Sequence, residues 1–476
     1  MDIGNETDRP GGPGWAVTAL AFAMLLSSMG ISIANVALPA LAAAFDAPFR
    51  DVQWVVLAYL LAVTTVVVGA GRLGDVIGHR RVLLGGLAVF ALGSLVCAVV
   101  PALPALVAAR ALQGSGAAAL MAVTVALVRE TVAKERTGSA MGLLGTTSAI
   151  GTALGPSLGG ALIAGVGWHA IFYVLAVLSL PAFALAHRFL PAPHAAEGNE
   201  QSRPSFDARG TVLLALVLGA YALSMTLGDG FGTANAILLA AAGLGVALFV
   251  RVEAHQAAPL IDLRAFRDPA LDASLAMNAL VAAVMMATLV VGPFYLSLGL
   301  GIGAASVGLV MSIGPVISTL TGVPAGRLVD RFGASSVAVA GLLALSAGSL
   351  GLAVLPEMIG LPGYVLAIAL LTPGYQLFQA ANNTMVMLDV ADERRGVISG
   401  LLSLSRNLGL VTGASAMGAV FAMAAGSSDM ETAGRDAVAA GMQATFATAA
   451  GMMGLALVIG FGGRAFGIGG GRTLPK

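Results

Sequence analysis

The sequence predicts an all-α polytopic membrane protein with fourteen transmembrane helices. Hydrophobic residues make up 58% of the 476 positions and charged residues only 10%, whereas soluble proteins carry about 25% charged residues. The apolar residues form continuous runs of about 20, the length at which a helix crosses the hydrocarbon core of a bilayer. Because these runs do not alternate apolar and polar residues, they predict helices rather than the strands of a membrane barrel.

The runs fall into two groups of six that flank a middle pair. We predict an N-terminal six-helix bundle over 15–190, a cytoplasmic linker over 191–209, an inserted helical pair over 210–251 and a C-terminal six-helix bundle over 271–463. The fourteen spans, numbered in chain order, lie near 15–44, 52–71, 82–101, 103–128, 138–164, 168–190, 210–228, 234–251, 271–298, 304–325, 335–356, 362–388, 396–424 and 440–463.

The distribution of lysine and arginine predicts the orientation. With Met1 in the cytoplasm, Arg50 and Arg435 fall outside and Arg110 and Arg406 fall within spans, so 20 of the 24 basic residues lie on the cytoplasmic side. This asymmetry is what the positive-inside rule requires, and it places both termini in the cytoplasm. The 22 arginines against 2 lysines are typical of a GC-rich bacterial genome. We therefore expect a multi-pass protein of the bacterial cell (inner) membrane.

The orientation predicts a labelling pattern. Cysteines introduced into the linker at 191–206 should react with a membrane-impermeant maleimide only from the cytoplasmic side. Cysteines at 426–434 should react only from outside, because an odd number of spans separates that segment from either terminus. Labelling of both segments from one side would remove a helix from the predicted topology.

Two motifs recur and reveal an internal repeat. The octapeptide Gly71–Gly78 returns at Gly326–Gly333 with five of eight residues identical and an offset of 255. The stretch Glu135–Gly138 returns at Glu393–Gly396 with an offset of 258, and three glycines of span 5 return in span 13 at that offset. Both repeats join spans of the same rank and direction, so the halves are parallel copies. The predicted architecture is six plus two plus six helices.

Four segments of the sequence resemble the motifs of a known family. They are similar to motifs of the fourteen-helix drug:proton antiporters of the major facilitator superfamily. The segments are Gly71–Arg81, Arg110–Gly116, Gly155–Gly160, and Asn35–Pro39 with Gln53-Trp54. The resemblance implies the major facilitator fold and a secondary active exporter of small lipophilic compounds that works by alternating access. It further implies protons as the coupling ion, no cofactor and no nucleic-acid partner, and we expect a monomer in the lipid bilayer.

The resemblance assigns a conformational role to the loop motif after span 2. Gly71 and Gly78 are expected to supply a tight turn, and Arg80 follows as part of the motif. The carboxylate of Asp75 is expected near the start of span 13, beside Arg394 and Arg395, where helix N-terminal amides carry partial positive charge. By the repeat, Asp330 should meet the start of span 5. These contacts would clamp the bundles on the cytoplasmic side; the alternative is a pair of solvated loop carboxylates.

Span 5 carries a stripe without side chains. The glycines at 151, 155 and 159 recur every fourth residue, Gly160 follows, and Pro156 removes a backbone hydrogen bond. A facing helix can approach such a stripe closely. In the resembled family this antiporter motif lets the bundles seal against each other, whereas ordinary helix packing is the alternative.

Arg110 and Arg406 are costly residues within the spans. A cation at mid-membrane costs about 2.5–3.5 kcal/mol on insertion scales and normally faces the interior with a partner. The resemblance implies that Arg110 acts in proton coupling near an acid of span 1, but Gly30 occupies that position. The acids closest to the membrane interior stand at span ends, among them Asp51 and Asp272, and snorkelling of Arg110 is the alternative.

The two-bundle architecture places spans 1, 4, 9 and 12 along a central path. Polar residues at helical spacing on these spans predict a substrate cavity, whereas hydrogen bonding between helices is the alternative use of such residues. The candidate cavity residues on these spans are Ser32, Asn35, Gln113, Tyr295, Gln376, Gln379, Asn382 and Asn383, joined by the adaptable apolar residue Met286 of span 9 and by Tyr59 of span 2.

Other functions are less consistent with the sequence. Neither lysine is followed by Ser or Thr, so this chain has no phosphate-binding loop for an ATP-driven pump. The five histidines show no metal-ligand spacing, which disfavours a membrane enzyme and predicts no metal site. An uptake transporter or facilitator for a small metabolite is the main alternative, and a sensor without transport is a weaker one. Because the spans lack a mid-membrane carboxylate, we expect neutral, zwitterionic or anionic substrates rather than organic dications.

Overall fold

The computed structural model describes residues 13–132, 137–191, 208–227, 232–256, 268–387, 395–426 and 434–462. Within these ranges the chain is helical, and fourteen helices are long and apolar enough to cross a membrane. The fold class and the number of spans predicted from the sequence are therefore confirmed. We number the helices TM1 to TM14 as the predicted spans. The face where TM1 ends, which the sequence predicts to be extracytoplasmic, is called the outer face.

Apart from the inner end of TM2, the helices of the N-terminal half and the inserted pair begin and end within a few residues of the prediction. A one-turn helix at Phe49–Val52 precedes TM2. Their bounds are Pro13–Phe45 (TM1), Trp54–Ile77 (TM2), His79–Val99 (TM3), Leu103–Thr131 (TM4), Thr137–Val166 (TM5), His169–Phe189 (TM6), Ala208–Thr226 (TM7) and Thr233–Glu253 (TM8).

Two helices of the C-terminal half contain a π-helical segment, Tyr295–Gly299 at the end of TM9 and Gly413–Met417 within TM13. The bounds are Pro269–Phe294 (TM9), Ala304–Phe332 (TM10), Ala334–Ile359 (TM11), Leu361–Met387 (TM12), Arg395–Thr412 continued by Gly418–Ala424 (TM13) and Arg435–Gly462 (TM14).

TM2 and TM10 are longer than hydropathy predicts. TM2 continues through Gly71 and Asp75 to Ile77, and the turn falls at Gly78, whose φ is 97°. TM10 ends in the same way before Gly333, whose φ is 82°. The predicted turn at Gly71 is therefore wrong. A hydropathy window stops at the first charged residue, but the backbone turns only where a glycine adopts the left-handed conformation that side chains disfavour.

The two halves use the same helix pairs. TM1 packs against TM4, TM5 and TM6, TM4 packs against TM2 and TM3, and TM3 also packs against TM6. The equivalent pairs form among TM9 to TM14. A Cβ added at Gly93 of TM3 would lie 2.7 Å from the Cα of Gln113, and one added at Gly348 of TM11 would lie 2.7 Å from the Cα of Leu371. The repeat therefore extends to the close helix contacts that glycine permits.

The inserted pair lies over one of the two seams between the bundles. TM5 packs against TM10 at one seam, and TM2 packs against TM13 at the other. TM7 contacts both TM2 and TM13, with Trp54 Nε1 donating to Thr226 Oγ1 at 3.1 Å and Tyr221 donating to Thr412 Oγ1 at 3.2 Å. TM8 packs against TM7. The TM2–TM13 seam is thus covered by an extra helix that contacts both bundles.

Candidate transport path

Three aromatic rings join the bundles at the outer face. Phe49 precedes TM2 in the N-terminal half, and Phe294 and Phe421 stand near the outer ends of TM9 and TM13. The ring centroids of Phe49 and Phe294 are 4.8 Å apart, and those of Phe49 and Phe421 are 5.2 Å apart. All three side chains are fully buried. They form an apolar plug across the outer end of the path, and sequence reasoning missed them because isolated phenylalanines in spans are common.

Glycine contacts close both seams beside this plug. A Cβ at Gly160 of TM5 would lie 2.5 Å from the carbonyl oxygen of Ala304 and 2.9 Å from Cα of Gly308 in TM10. A Cβ at Gly418 of TM13 would contact Oε1 of Gln53 before TM2. The repeat offsets of 258 and 255 relate Gly160 to Gly418 and Gln53 to Gly308. The two seams are therefore closed by equivalent positions of the two halves.

The inner ends of the same four helices are less crowded. A Cβ at Gly71, Gly145, Gly326 or Gly400, which lie toward the inner ends of TM2, TM5, TM10 and TM13, would meet no atom within 4 Å. Among the described residues, the tight glycine contacts between the bundles are thus found at the outer ends. With the predicted orientation, this is an inward-facing arrangement.

The antiporter motif of TM5 serves two different neighbours. Gly151 faces the backbone of Leu25, and Gly155 and Gly159 face Ser32 and Ile33, all in TM1 of the same bundle. Gly160 faces TM10 in the other bundle, and the carbonyl of Pro156 lies against Gly308. Ordinary helix packing therefore describes most of the stripe, which lies against TM1 of the same bundle. Contact between the bundles describes its outer end, where Pro156 and Gly160 meet TM10.

Arg110 lies inside the N-terminal bundle. Its side chain is 0% exposed. Nε donates to the carbonyl of Val55 at 2.9 Å, Nη2 donates to the carbonyl of Gly30 at 3.1 Å, and Nη1 donates to Oε1 of Gln113. The guanidinium carbon also lies 4.2 Å from the ring centroid of Tyr59. Among the described residues its partners are neutral, and snorkelling to the outer surface does not occur.

The groups around Arg110 are themselves hydrogen-bonded. Gln113 Nε2 donates to Ser94 Oγ at 2.7 Å, and Tyr59 donates to the carbonyl of Ser27 at 3.0 Å. A Cβ at Gly30 would lie 2.9 Å from the Tyr59 hydroxyl and 3.2 Å from the Phe90 ring, so an acidic side chain at this position would require these two side chains to move. Tyr59 and Gln113, predicted to line the cavity, are buried here as part of a polar network that fixes the arginine.

Arg406 and the two acids are placed differently. Arg406 lies in TM13, and its Nε is buried without a hydrogen-bond partner. Asp272 stands in the first turn of TM9 with one buried carboxylate oxygen that also has no partner. Asp51 is exposed and pairs with Arg50 at 3.6 Å. The structure thus does not bring either predicted acid to either intramembrane arginine.

The polar stripe of TM1 packs against TM5. Ser28 and Ser148 share a hydrogen bond of 2.6 Å, Ser32 donates to the carbonyl of Gly151 at 3.3 Å, and Asn35 donates to the carbonyl of Ile31 at 2.9 Å. Ser32 and Asn35 are buried. In this arrangement Ser28 and Ser32 connect TM1 to TM5, and Asn35 is bonded within TM1, so the buried Ser32 and Asn35 do not line a path.

Two further predicted cavity residues are buried in the C-terminal bundle. The side chain of Met286 packs against Gly413 of TM13. Tyr295 stacks on Tyr364, with ring centroids 6.3 Å apart, near the outer plug. Neither side chain is accessible to a ligand in this conformation.

TM12 carries the predicted polar residues that remain accessible. Gln376 and Gln379 are half-buried and Asn383 is exposed. Gln376 Nε2 donates to the carbonyl and hydroxyl oxygens of Ser318 in TM10, and Gln379 donates to the hydroxyl of Tyr375 at 3.0 Å. Exposing amide side chains to lipid would cost free energy, so we expect these accessible side chains of TM12 to face a water-filled path. Asn382, one residue away, is fully buried and neither side-chain atom has a partner.

The loop motif is only partly described. The side chains of Asp75 and Arg395, and all of Arg394, lie outside the described residues, so the clamp remains a prediction. Arg80 donates to the carbonyl of His187 in TM6 at 2.5 Å, and Asp330 is exposed at the inner end of TM10. A contact that the sequence did not predict joins His79 Nδ1 to Glu130 at 2.7 Å, between TM3 and TM4.

The clamp leads to a prediction for Asp75→Asn. The change removes a charge–dipole interaction of about 0.3–1 kcal/mol at an exposed site, or about 2 kcal/mol if partly buried. Expression and thermal stability should stay near wild type, while transport falls several-fold because the outward-facing state loses stability. Asp436→Asn, an exposed acid at the start of TM14, is the matched control. Transport by Asp75→Asn equal to that of the control would return Asp75 to the role of a solvated carboxylate.

The molecule has two repeated six-helix bundles that are joined at one end of a central path and are less crowded at the other. This architecture defines a membrane transporter of the two-bundle type. The sequence pattern of the Major Facilitator Superfamily matches residues 20–414 and 300–466. The chain belongs to the Major Facilitator Superfamily, which confirms the resemblance, and its family and relatives are transporters.

Comparison with individual proteins agrees with this assignment. The chain is 32% identical to the multidrug resistance protein Stp of Mycobacterium tuberculosis, over 82% of this chain and 72% of that protein. It is 29% identical to the riboflavin transporter RibZ of Clostridioides difficile, over 86% and 88%, and 29% identical to the multidrug efflux pump LfrA of Mycolicibacterium smegmatis, over 85% and 80%. The crystal structure of a point mutant of the nucleoside transporter NupG shares the fold, with a TM-score of 0.66, 14% identity and coverage of 95% and 99%.

Proposed function

We propose that this transporter exports small lipophilic compounds by alternating access, with protons moving in the opposite direction. The observation that carries the proposal is the pair of seams closed at the outer ends by repeat-equivalent residues, Gly160 with Gly308 and Gly418 with Gln53. Two bundles that meet at equivalent positions can rock about their interface, and opening the outer ends would bring the inner ends together. The names of Stp and LfrA support a role in drug resistance and efflux.

The charge of the path narrows the substrate class. Among the described residues, Arg110 and Arg406 are the charged side chains at mid-membrane, and no carboxylate pairs with either. A dication would have to give up its hydration without a compensating negative charge. We therefore expect neutral, zwitterionic or anionic compounds, such as antibiotics or secondary metabolites. The similarity to a riboflavin transporter favours one second candidate, a transporter that takes up a small metabolite or facilitates its diffusion.

Transport by purified protein in proteoliposomes tests this proposal. Vesicles with an acidic interior should accumulate the zwitterion tetracycline and the neutral compound chloramphenicol, and nigericin should abolish the accumulation by collapsing the pH gradient. The dication decamethonium should accumulate more slowly than either, and protein-free vesicles give the background. Equilibration that ignores the pH gradient would identify a facilitator, and accumulation in vesicles with an alkaline interior would identify proton-coupled uptake. Faster transport of decamethonium would refute the argument from charge.

A further inference from the structure

The two intramembrane arginines have opposite environments. Arg110 is enclosed by one bundle, and each nitrogen of its guanidinium group donates a hydrogen bond to a neutral acceptor. Arg406 is only partly buried, and no hydrogen bond or ion pair joins its guanidinium to any residue that the structure describes. A guanidinium offers five donors in a planar fork that matches a carboxylate. Three of the five donors of Arg110 are used and its side chain is enclosed, whereas Arg406 is partly accessible and uses none of its donors on a residue that the structure describes.

The contacts of TM13 indicate where Arg406 points. Ser405 donates to the carbonyl of Leu275 at 2.5 Å, and Gly409 lies against Ala279, so these positions face TM9. Thr412 and Leu408 face TM7, which covers the seam from outside. Successive residues of a helix are rotated by about 100° around its axis. Position 406 therefore lies beside the stripe of residues that faces TM9, on the side of that stripe that is away from TM7. The side chain of Arg406 is thus directed toward the space between the two bundles.

The repeat gives an independent indication of the same direction. With the offset of 258, Arg406 corresponds to Ser148 of TM5. The hydroxyl of Ser148 lies 2.6 Å from that of Ser28 in TM1, and both residues are only partly buried. The equivalent position in the C-terminal half therefore lies beside TM9, the counterpart of TM1, at the edge of the central path.

Arg406 is near the middle of the membrane. It stands 15 residues before Phe421 of the outer plug and 11 residues after the start of TM13. At about 1.5 Å per residue these separations are about 22 Å and 16 Å. A cation that has no partner among the described residues is costly to hold at this depth and normally marks a functional site.

We propose that Arg406 binds the anionic group of the transported compound, a carboxylate or an ionised phenol or enol on an otherwise apolar molecule. This inference rests on the proposed function and specifies its substrate class. The guanidinium supplies a charge-assisted, two-pronged hydrogen bond to the anion. The half-buried amide of Gln379 and the exposed amide of Asn383 on TM12, another helix of the predicted path, offer neutral hydrogen-bonding groups.

Binding of three matched probes to protein in neutral-lipid nanodiscs tests the proposal. The probes are pyrenebutyrate, its neutral amide and a pyrenebutyl trimethylammonium ion, followed by pyrene fluorescence anisotropy. Wild-type protein should bind the carboxylate at least about tenfold more tightly than the amide, as expected for a hydrogen bond to a charged group. Arg406→Gln should abolish this preference without weakening amide binding, and Arg406→Lys should keep part of it. Arg435→Gln, which removes the same charge from the exposed start of TM14, should keep the wild-type preference.

Two results would overturn the proposal: equal affinity of wild-type protein for the carboxylate and the amide, or an unchanged preference in Arg406→Gln. If either result is obtained while every variant binds the amide in nanodiscs and transports it in proteoliposomes, only the inference about Arg406 fails. If wild-type protein binds none of the probes, the proposed transport of small lipophilic compounds fails with it.

Discussion

Replacing either glycine of the TM5–TM10 seam should largely abolish transport. In Gly160→Ala and in Gly308→Ala the new methyl group would meet backbone atoms of the facing helix, which cannot rotate away as a side chain can. The helices must therefore separate at the outer end. Overpacking of this kind costs about 1–3 kcal/mol, which shifts the equilibrium between the two states about 5- to 150-fold away from the outer-closed state. We expect the maximal transport rate to fall at least about tenfold.

The matched control for this seam is Gly165→Ala. Gly165 lies five residues after Gly160 in TM5, and a Cβ there would meet no atom within 4 Å. The control should transport at the wild-type rate. Thermal melting of all three variants separates a shifted equilibrium from misfolding, because a seam variant that is locked open still unfolds cooperatively. Wild-type transport by Gly160→Ala and Gly308→Ala would show that the outer ends do not need this close contact during the cycle.

Arg110→Ala should act on stability rather than on the coupling ion. The substitution empties a fully buried site and leaves the amide of Gln113 without one of its partners. Large-to-small substitutions in a core cost about 2–5 kcal/mol. We expect a clear fall in thermal stability and in the yield of folded protein. Arg188→Ala, at the exposed end of TM6, should behave like wild type in the same measurements.

The opposite result for Arg110 would restore its predicted role in coupling. In that case Arg110→Ala would melt at the wild-type temperature, would still exchange substrate between the two sides of the membrane, and would lose its response to a pH gradient. The neutral partners in the structure favour the first outcome. The residues that the structure describes place no acid beside this arginine, and the space at Gly30 is filled by Tyr59 and Phe90.

The fold could be predicted closely because hydropathy, charge and repeats are properties of whole segments. Each span is defined by about twenty residues, so single exceptions do not change the assignment. The errors arose where one residue decides the outcome. The turn after TM2 depends on the conformation of Gly78 rather than on the hydropathy of Gly71 and Arg72, and only the structure shows that the helix continues between them.

The candidate site was harder to predict, since the orientation of a side chain follows from its neighbours. Ser32 and Gln376 are both polar residues at helical spacing on path-forming helices. One is buried against TM5 and the other is accessible between TM12 and TM10. The sequence shows Arg110 and Arg406 alike as basic residues within spans. Only the structure shows that the guanidinium of Arg110 is hydrogen-bonded inside a bundle, whereas that of Arg406 has no partner among the described residues. The repeat did contain an unused signal, because Gly160 and Gly308 map onto Gly418 and Gln53 and so predict both seams together.

The inserted pair makes the two seams unequal. TM7 bonds to Trp54 of one bundle and Thr412 of the other, whereas the described part of the chain places no additional helix over the TM5–TM10 seam. The proposed rocking would therefore break or shift polar contacts of TM7 that have no counterpart at the other seam in the described part of the chain. This asymmetry is a consequence of inserting two helices between two copies of a six-helix unit.

The central claim is that the two bundles alternate between closure at the outer ends and closure at the inner ends. Distances between pairs of spin labels measure this alternation directly. One pair is placed at positions 166 and 309, which are exposed near the outer ends of TM5 and TM10, and the other at positions 143 and 328, which are exposed near the inner ends. Cys97 is buried and is replaced by serine in the background. Double electron–electron resonance should show that acidification or added tetracycline lengthens the outer distance and shortens the inner one in the same population. Distances that stay fixed, or that change in the same direction, would contradict alternating access.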